Sequence, residues 1–190
     1  MFRLLSLLQH ASRTLRYEVI RAVSCPEAAA RHLGVTVGKG CRILTRGFGT
    51  EPWLIAIGDR VTITNGVHLL THDGSTWLFR DSGGRRYRYA RIVIGDDVFI
   101  GINSILLPGV QVGNRVIIGA GSVVTKSVPS GVLVAGNPAR VIGLYEDHGR
   151  IVLRDYPAVA RMVGLSQEER MRSVVDEHMR PSMLDESNSG

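Results

Sequence analysis

The stretch that decides the fold is residues 94–124, "IGDDVFIGINSILLPGVQVGNRVIIGAGSVV". Every sixth residue is aliphatic, and the residue two positions before each aliphatic one from 100 onward is small or aliphatic. The aliphatic positions are Ile94, Ile100, Leu106, Val112, Ile118 and Val124. Residues two apart on a strand point to the same side, so this period predicts very short strands whose inward faces stack into one core. An α-helix does not fit, because the period is six rather than 3.6 and the segment is rich in Gly and β-branched residues.

The same pattern occurs earlier in the chain and is interrupted once. The earlier positions are Val37, Ile43, Ile57, Ile63 and Leu69. After Leu69 the phase returns only near Ile94, which predicts that residues 73–91 form a loop projecting from the coils. Cys41 falls on an inward position, where a thiol packs as a small apolar side chain.

Composition and charge restrict the class of protein. The 190 residues are 44% hydrophobic and suit one domain, and no apolar run approaches the ~20 residues of a membrane span. The two cysteines lack metal-ligand spacing and are interpreted as reduced thiols. Residues 1–142 carry 17 Lys and Arg against 8 Asp and Glu, whereas residues 143–190 carry 6 against 9. The basic part favours an anionic partner, and charge alone does not choose among nucleic acid, a phosphorylated cofactor, an acidic glycan and a membrane surface.

Three motifs give the chain a family resemblance. They are "GAGSVVTKSVPSGVLVAGNPARVI" at 119–142, "THDGSTW" at 71–77 and "IGINSILLPGV" at 100–110. Over residues 33–142 the chain resembles the left-handed β-helix, hexapeptide-repeat acyltransferases, in the branch of maltose/galactoside-type and capsular or exopolysaccharide O-acetyltransferases. The resemblance implies an all-β solenoid, a left-handed parallel β-helix with short helical N- and C-terminal extensions. It also implies a homotrimer with active sites between subunits and acetyl-CoA as co-substrate. The left-handed winding comes from the resemblance, since general sterics favour right-handed crossovers.

The ends of the chain differ from the repeats. Residues 1–32 are expected to form an N-terminal helical cap, and residues 143–190 a partly helical extension with a disordered tail from 181. Residues 1–24 have helical apolar spacing and a net charge of +3. This segment either caps the open end of the solenoid or rests on an anionic membrane surface. A capping box from Ser166 to Glu169 predicts a helix from 167 to about 180.

His72 is the candidate catalytic residue. A hydroxyl is a poor nucleophile at neutral pH, so its acylation needs a general base such as His. The alternative is a solvated loop histidine, but the resemblance implies that the histidine at the root of the projecting loop is the base. Asp73 is a doubtful partner, because neighbours on a strand point in opposite directions. Glu51, in "FGTEPW", could orient His72, bind an acceptor hydroxyl or be a solvent-facing loop charge.

The resemblance also implies contacts to the coenzyme. Ile102 and Ala120 match positions along the pantetheine arm, and Thr125, Lys126 and Arg140 match positions near the nucleotide end. Two departures stand out. Ile102 replaces a common Ser, so only its backbone contact carries over, and Gly143 stands where some relatives have a second Arg.

The projecting loop is the candidate acceptor site, with Trp77 and Arg80 as substrate-binding residues. Aromatic rings stack on sugars and arginines pair with carboxylates, which favours an anionic glycan, free or lipid-linked. Trimer contacts and solvated charge are the alternatives. No nucleic-acid fold signature accompanies the Arg and Tyr residues, so nucleic acid is not expected as a partner. No metal is expected either, because His68 and His72 are the only histidines within the coils and His68 should point outward.

The sequence therefore predicts an acetyl-CoA-dependent O-acetyltransferase acting on a sugar or polysaccharide hydroxyl by direct attack with a His base. Acetylation of a small acceptor (a free sugar, serine or an antibiotic) and a catalytically silent trimeric scaffold remain alternatives. The expected location is the cytoplasm, with peripheral contact at the inner face of the membrane as an open question.

Overall fold

The structure is a computed structural model that describes residues 26–158 and 164–175, together with Val19 alone. The chain divides into two compact units, residues 1–146 and residues 147–190. Within the described ranges, no helix has the length and apolar character needed to cross a bilayer.

Three parallel sheets of very short strands form the body of the first unit. The first sheet holds β1 (Thr36–Val37), β3 (Ile55–Ile57), β8 (Ile92–Ile94) and β11 (Gln111–Val112). The second holds β2 (Arg42–Ile43), β4 (Thr62–Ile63), β9 (Val98–Ile100), β12 (Val116–Ile118) and β14 (Val132–Ala135). The third holds β5 (His68–Leu69), β10 (Ile105–Leu106) and β13 (Val123–Val124). The chain visits the sheets in turn, so each circuit is one coil of a three-faced parallel β-solenoid.

The core confirms the six-residue pattern. Inward positions of the repeat between Val98 and Val124 are buried, as are Cys41, Ile43, Ile57, Ile63 and Leu69. Ser104 and Ser122 are buried polar exceptions, and both donate hydrogen bonds to backbone carbonyls, including that of Gly119. Because no coil has a core of its own, stability comes from burying each coil against the next.

One corner of the solenoid is joined by side-chain hydrogen bonds that run from coil to coil. Asp59 accepts from the Lys39 amide at 2.7 Å, and Asp96 accepts from the Asp59 amide at 2.8 Å. Asn114 then accepts from the Asp96 amide at 2.8 Å, and Ser130 from the Asn114 amide at 2.9 Å. We call this series the corner ladder. It satisfies turn amides that the sheets leave unpaired.

The residues flanking the corner ladder are constrained by it. A Cβ on Gly95 would lie 2.2 Å from Asn114 Oδ1, so only glycine fits there. The residue after each ladder carboxylate has a positive φ, 55° at Arg60 and 56° at Asp97. Their side chains form a two-bonded ion pair at 2.6 and 2.8 Å across neighbouring coils.

A helix borders the coil stack at one end, and an antiparallel strand borders it at the other. Helix α1 (Pro26–Leu33) buries Ala29 and Ala30, and Ala30 belongs to the same apolar core as the coils. It is the described part of the predicted N-terminal cap; residues 1–18 and 20–25, with most of the amphipathic segment, lie outside the described residues. At the other end, β15 (Arg140–Leu144) turns back antiparallel on β14.

The second unit contains part of helix α2 (Tyr145–Asp155) and all of helix α3 (Gln167–Arg172). The predicted capping box is present, because Ser166 Oγ accepts from the Glu169 amide and Glu169 returns a bond to the Ser166 amide. The prediction of a helix to about 180 was wrong in length. Helix α3 ends at Arg172, before the β-branched Val174 and Val175, which are poor helix formers. The tail from 181 lies outside the described residues.

Candidate active site

The coils are interrupted between β5 and β8, and the intervening chain forms a closed loop. Its base is held by two hydrogen bonds, from the Ala90 amide to the Thr71 carbonyl at 2.8 Å and from the Asp73 amide to the Arg88 carbonyl at 3.1 Å. His72 lies between them, bridged to Tyr89. The loop itself contains a 3-10 helix at Gly74–Leu78 and a hairpin of β6 (Arg80–Asp81) and β7 (Gly84–Arg85). Backbone hydrogen bonds therefore fix His72 on both sides, at the point where the chain leaves the coil and enters the loop.

The His72 ring contacts the Glu51 carboxylate. His72 Nδ1 lies 3.0 Å from Glu51 Oε2, and the side chains are 44% and 13% exposed respectively. Glu51 comes from the preceding coil, immediately before the 3-10 helix Pro52–Leu54. A carboxylate at Nδ1 makes that nitrogen the protonated one, which leaves Nε2 with a free lone pair. The His72–Glu51 pair thus has the geometry of a general base with its orienting acid.

Glu51 is itself held by two hydroxyl groups. Thr71 donates to Oε2 at 2.7 Å and Thr50 donates to Oε1 at 2.5 Å. Burial of the carboxylate acts to raise its pKa, but the hydrogen bonds from Thr50, Thr71 and His72 outweigh burial, and the pKa of Glu51 lies below its ordinary value. Glu51 is consequently a carboxylate at neutral pH and can stabilise a positive charge on the imidazole.

Asp73, which follows His72 in the sequence, has a different role from that of Glu51. Its carboxylate accepts from both the amide and the hydroxyl of Ser75, which caps the 3-10 helix of the loop. These bonds, together with Arg88 at 3.7 Å, hold the pKa of Asp73 below its usual range. Asp73 therefore shapes the loop, and Glu51 is the carboxylate at the imidazole.

A cavity of about 270 Å³ opens beside the His72–Glu51 pair. Its lining residues are Thr50, Glu51, His72, Asp73, Gly74, Thr76, Arg85, Tyr87, Arg88 and Tyr89. Trp77 and Arg80, the two loop residues expected to bind substrate, are not among them. The Arg80 guanidinium lies 4.7 Å from the centre of the Trp77 ring, so this ring holds arginine rather than presenting an open face. We call this space the acceptor cavity, because the sequence predicts that an acceptor binds at this loop.

The residues matched to the coenzyme fall into two groups. Ile102 and Ala120 are stacked in adjacent coils, since the Gly121 amide donates to the Ile102 carbonyl at 2.8 Å. Thr125, Lys126 and Arg140 lie together around a second cavity, of about 250 Å³. The two groups occupy opposite ends of the strands in the third sheet, because Ala120 precedes β13 and Thr125 follows it.

Sequence reasoning missed several residues of the site. Thr50 and Thr71 were not singled out, although both contact His72 or Glu51. Tyr89 was expected only as one of the loop aromatics that could stack on a sugar, and its contact with His72 was not expected. Thr50 and Thr71 each flank a residue already under consideration, and that adjacency was the available signal. Tyr89 comes from the far end of the loop, and only the closed base brings it to His72.

No group of three or more His, Cys, Asp or Glu side chains within 26–158 and 164–175 is arranged to hold a metal ion. His68 is exposed, as its place in the repeat requires, and does not line the acceptor cavity.

Comparison with known proteins gives the family. A family model described as bacterial transferase hexapeptide (six repeats) matches residues 91–126. The protein CapG of Staphylococcus aureus is 52% identical over 132 residues, which are 68% of this chain and 77% of CapG. The chain belongs to the hexapeptide-repeat acyltransferases.

Other members of this family support the same conclusion. The galactoside O-acetyltransferase of Escherichia coli is 36% identical over 107 residues, which are 56% of this chain and 52% of that enzyme. The chain thus spans about half the length of that relative. A hexapeptide-repeat-containing acetyltransferase from Vibrio cholerae, solved in complex with acetyl coenzyme A, has a TM-score of 0.50 and 25% identity, and the match covers 74% of this chain and 83% of that one. Its fold likeness agrees with the left-handed β-helix that the sequence resemblance implies for a hexapeptide-repeat acyltransferase.

Proposed function

We propose that the chain is an acetyl-CoA-dependent O-acetyltransferase whose acceptor is a hydroxyl group of a sugar or polysaccharide. The observation that carries the proposal is the His72–Glu51 pair at the edge of a cavity, in a chain of the acyltransferase family. The name of the Escherichia coli relative, a galactoside O-acetyltransferase, supports a sugar hydroxyl as acceptor. The Vibrio cholerae acetyltransferase, solved with acetyl coenzyme A, supports the donor.

In the proposed reaction, His72 accepts one proton from the acceptor and later donates it to the leaving group. Nε2 accepts the proton of the acceptor hydroxyl while the hydroxyl oxygen forms a bond to the carbonyl carbon of the acetyl thioester. The C–S bond then breaks, and the imidazolium returns the proton to the departing thiolate. Glu51 stabilises the transient imidazolium and keeps Nδ1 protonated, so that Nε2 faces the substrate. No acyl-enzyme intermediate is needed.

Lys126 and Arg140 are proposed to bind the coenzyme phosphates. Within the described residues neither side chain has a carboxylate partner, and both line the cavity of about 250 Å³. Lysine offers a compact charge and arginine a planar fork, and both suit phosphate oxygens. Ile102 and Ala120 would border the pantetheine arm through their stacked backbones.

The catalytic assembly is proposed to be a homotrimer of the domain formed by residues 33–142. Outward-facing apolar side chains support this, since Val93, Phe99 and Ile102 are each more than a third exposed in the single chain. Exposed apolar surface of this kind favours burial against a partner. The cytoplasmic location stays a prediction from the sequence.

A transfer assay tests the proposal. The protein is incubated with acetyl-CoA and oligosaccharide acceptors. The released thiol is titrated, and the mass of the product is measured by mass spectrometry. Acceptor-dependent thiol release with a matching gain of one acetyl group supports the function. A protein that is neither stabilised thermally by CoA nor active on any acceptor would be the silent scaffold instead. Acetylation of serine or another small acceptor alone would support the small-acceptor alternative.

A further inference from the structure

Two like charges face each other across the hairpin of the projecting loop. Arg80 of β6 and Arg85 of β7 are directly opposite in the antiparallel pair. Like charges in this position destabilise a hairpin. Both guanidinium groups lie against the ring of Trp77, at 4.7 and 4.8 Å from its centre. The ring's quadrupole offsets part of the repulsion but supplies no net negative charge.

Neighbouring acids do not neutralise this pair. Asp81 is paired with Arg86, and Asp73 with Arg88. Glu51, the other acid of the acceptor cavity, is bound to His72, Thr71 and Thr50. In the described part of the chain, neither Arg80 nor Arg85 has a carboxylate within ion-pair distance. Among the residues that the structure describes, the two positive charges of the hairpin therefore have no counter-charge.

Arg85 is held in a fixed orientation toward the acceptor cavity. Its guanidinium lies 4.8 Å from the Trp77 ring centre and 4.6 Å from that of Tyr87. Tyr87 stacks on Tyr89 with ring centres 6.3 Å apart, and Tyr89 contacts His72 at 5.9 Å. Rings against the guanidinium faces leave its N–H edges as the donors for a ligand. Because Arg85 and His72 line the same cavity, an anion at Arg85 would belong to the molecule whose hydroxyl reaches His72.

We propose that Arg85, supported by Arg80, binds a carboxylate of the acceptor, so that the enzyme selects glycans containing an acidic sugar. The planar guanidinium edge matches a planar carboxylate through two parallel hydrogen bonds. Lys126 and Arg140 provide a separate pair of cations for phosphate. The inference rests on the proposed function only in taking the cavity beside His72 as the acceptor site. Arg85 is a specificity-determining residue in this view, and Trp77 and Tyr87 are positioning residues.

Equilibrium binding to the full chain provides the test. The probes are disaccharides containing glucuronate, galacturonate or sialic acid, each beside its carboxyl-reduced neutral counterpart, and one sugar phosphate of equal size. We expect at least one acidic probe to bind about tenfold or more tightly than its neutral counterpart. Arg85→Met should abolish this ratio, and Arg85→Lys should lower it because lysine lacks the fork. Arg91→Met is the matched control, since Arg91 is exposed and does not line the cavity, and it should leave the ratio unchanged.

Several outcomes overturn the inference. Equal binding of every acidic and neutral pair does so, as does a preference that survives Arg85→Met. Tighter Arg85-dependent binding of the sugar phosphate than of any carboxylate overturns the carboxylate assignment. Arg85→Met is folded if CoA raises its thermal stability as much as it raises that of the wild type. If Arg85→Met does not fold, the binding ratio of Arg85→Lys decides.

Acetyl transfer separates this inference from the proposed function. Arg85-dependent binding of an acidic sugar without transfer to any acceptor leaves the inference standing and contradicts the acetyltransferase proposal. Transfer to neutral and acidic acceptors at equal kcat/KM, unchanged by Arg85→Met, leaves the acetyltransferase proposal standing and contradicts the inference.

Discussion

His72 and Glu51 are 21 residues apart in the sequence, yet His72 Nδ1 lies 3.0 Å from Glu51 Oε2. The contact crosses from one coil to the next, and Thr71 joins it by donating to the same oxygen at 2.7 Å. The proposed base and its orienting acid are thus supplied by adjacent coils of the solenoid. A small shift of Glu51 relative to His72 should therefore affect the proposed catalysis even where the coils stay packed.

Replacing His72 should remove the base without disturbing the coils. We expect His72→Ala to lower kcat/KM for acetyl transfer by about 10²- to 10⁴-fold, the usual contribution of a general base. The measurement is thiol release at saturating acetyl-CoA. His68→Ala is the control, because His68 is exposed and lies outside the acceptor cavity. Near-normal turnover by His72→Ala would exclude His72 as the base.

Glu51→Gln should change the pH dependence of the reaction. The variant loses the negative charge that stabilises the imidazolium, so the acid limb of the kcat/KM profile should move to lower pH. We also expect kcat to fall at least about tenfold, because the amide no longer enforces the tautomer with Nε2 free. The control is Glu27→Gln, a partly exposed partner of Arg31 on helix α1. A Glu51→Gln profile that overlays the wild type would place Glu51 outside the mechanism.

Glu51 should also make folding stability depend on pH. Its folded pKa is below the ordinary 4.5, so its contribution is complete above that value and is lost as the pH falls through the lower folded pKa. Denaturant unfolding of the wild type and Glu51→Gln at a series of pH values measures this. The difference in unfolding free energy should shrink on acidification. A difference that grows as the pH falls would mean that the pKa is raised instead.

Removing Lys126 should weaken coenzyme binding more than it slows chemistry. We expect Lys126→Gln to raise the KM for acetyl-CoA several-fold with little loss of kcat, and added salt to reduce the gap between variant and wild type. Lys39→Gln is the matched control, since Lys39 is the other lysine of the chain and belongs to the first coil. An unchanged KM for acetyl-CoA would remove Lys126 from the coenzyme site.

Gly95→Ala should destabilise the corner ladder. The new Cβ would lie 2.2 Å from Asn114 Oδ1 and 2.9 Å from the Gly113 carbonyl carbon, so backbone must move. We expect a loss of about 1–3 kcal/mol of unfolding free energy, seen as a lower Tm. Gly143→Ala is the control, because nothing lies within 4 Å of its Cβ position and its φ is not positive. Equal stability of the two variants would contradict the close packing at this corner.

The sequence predicted the coils well because the repeat has a physical cause. Val98 and Ile100 are two residues apart on one strand, so both point inward, and both are buried. The loop was harder to predict. Arg80 covers part of Trp77 because β6 pairs with β7, and nothing in the six-residue pattern extends to that hairpin. The spacing in the sequence predicted that Glu51 could lie near His72. The direction of its carboxylate depends on the 3-10 turn at Pro52–Leu54, which the spacing does not predict.

The two hydrogen bonds at the base of the loop have an evolutionary consequence. Asp59 and Asp96, which flank the loop in sequence, are 37 residues apart and keep a 2.8 Å corner bond, the same length as the bond between Asp96 and Asn114, 18 residues apart. The stack of coils therefore closes without help from the segment between Thr71 and Ala90. Loops closed at their base tolerate changes of length at little thermodynamic cost. On the proposed function, replacing only the part beyond His72, residues 74–87, would change the contacts to the acceptor while His72 and the coils proposed to bind the coenzyme stay as they are.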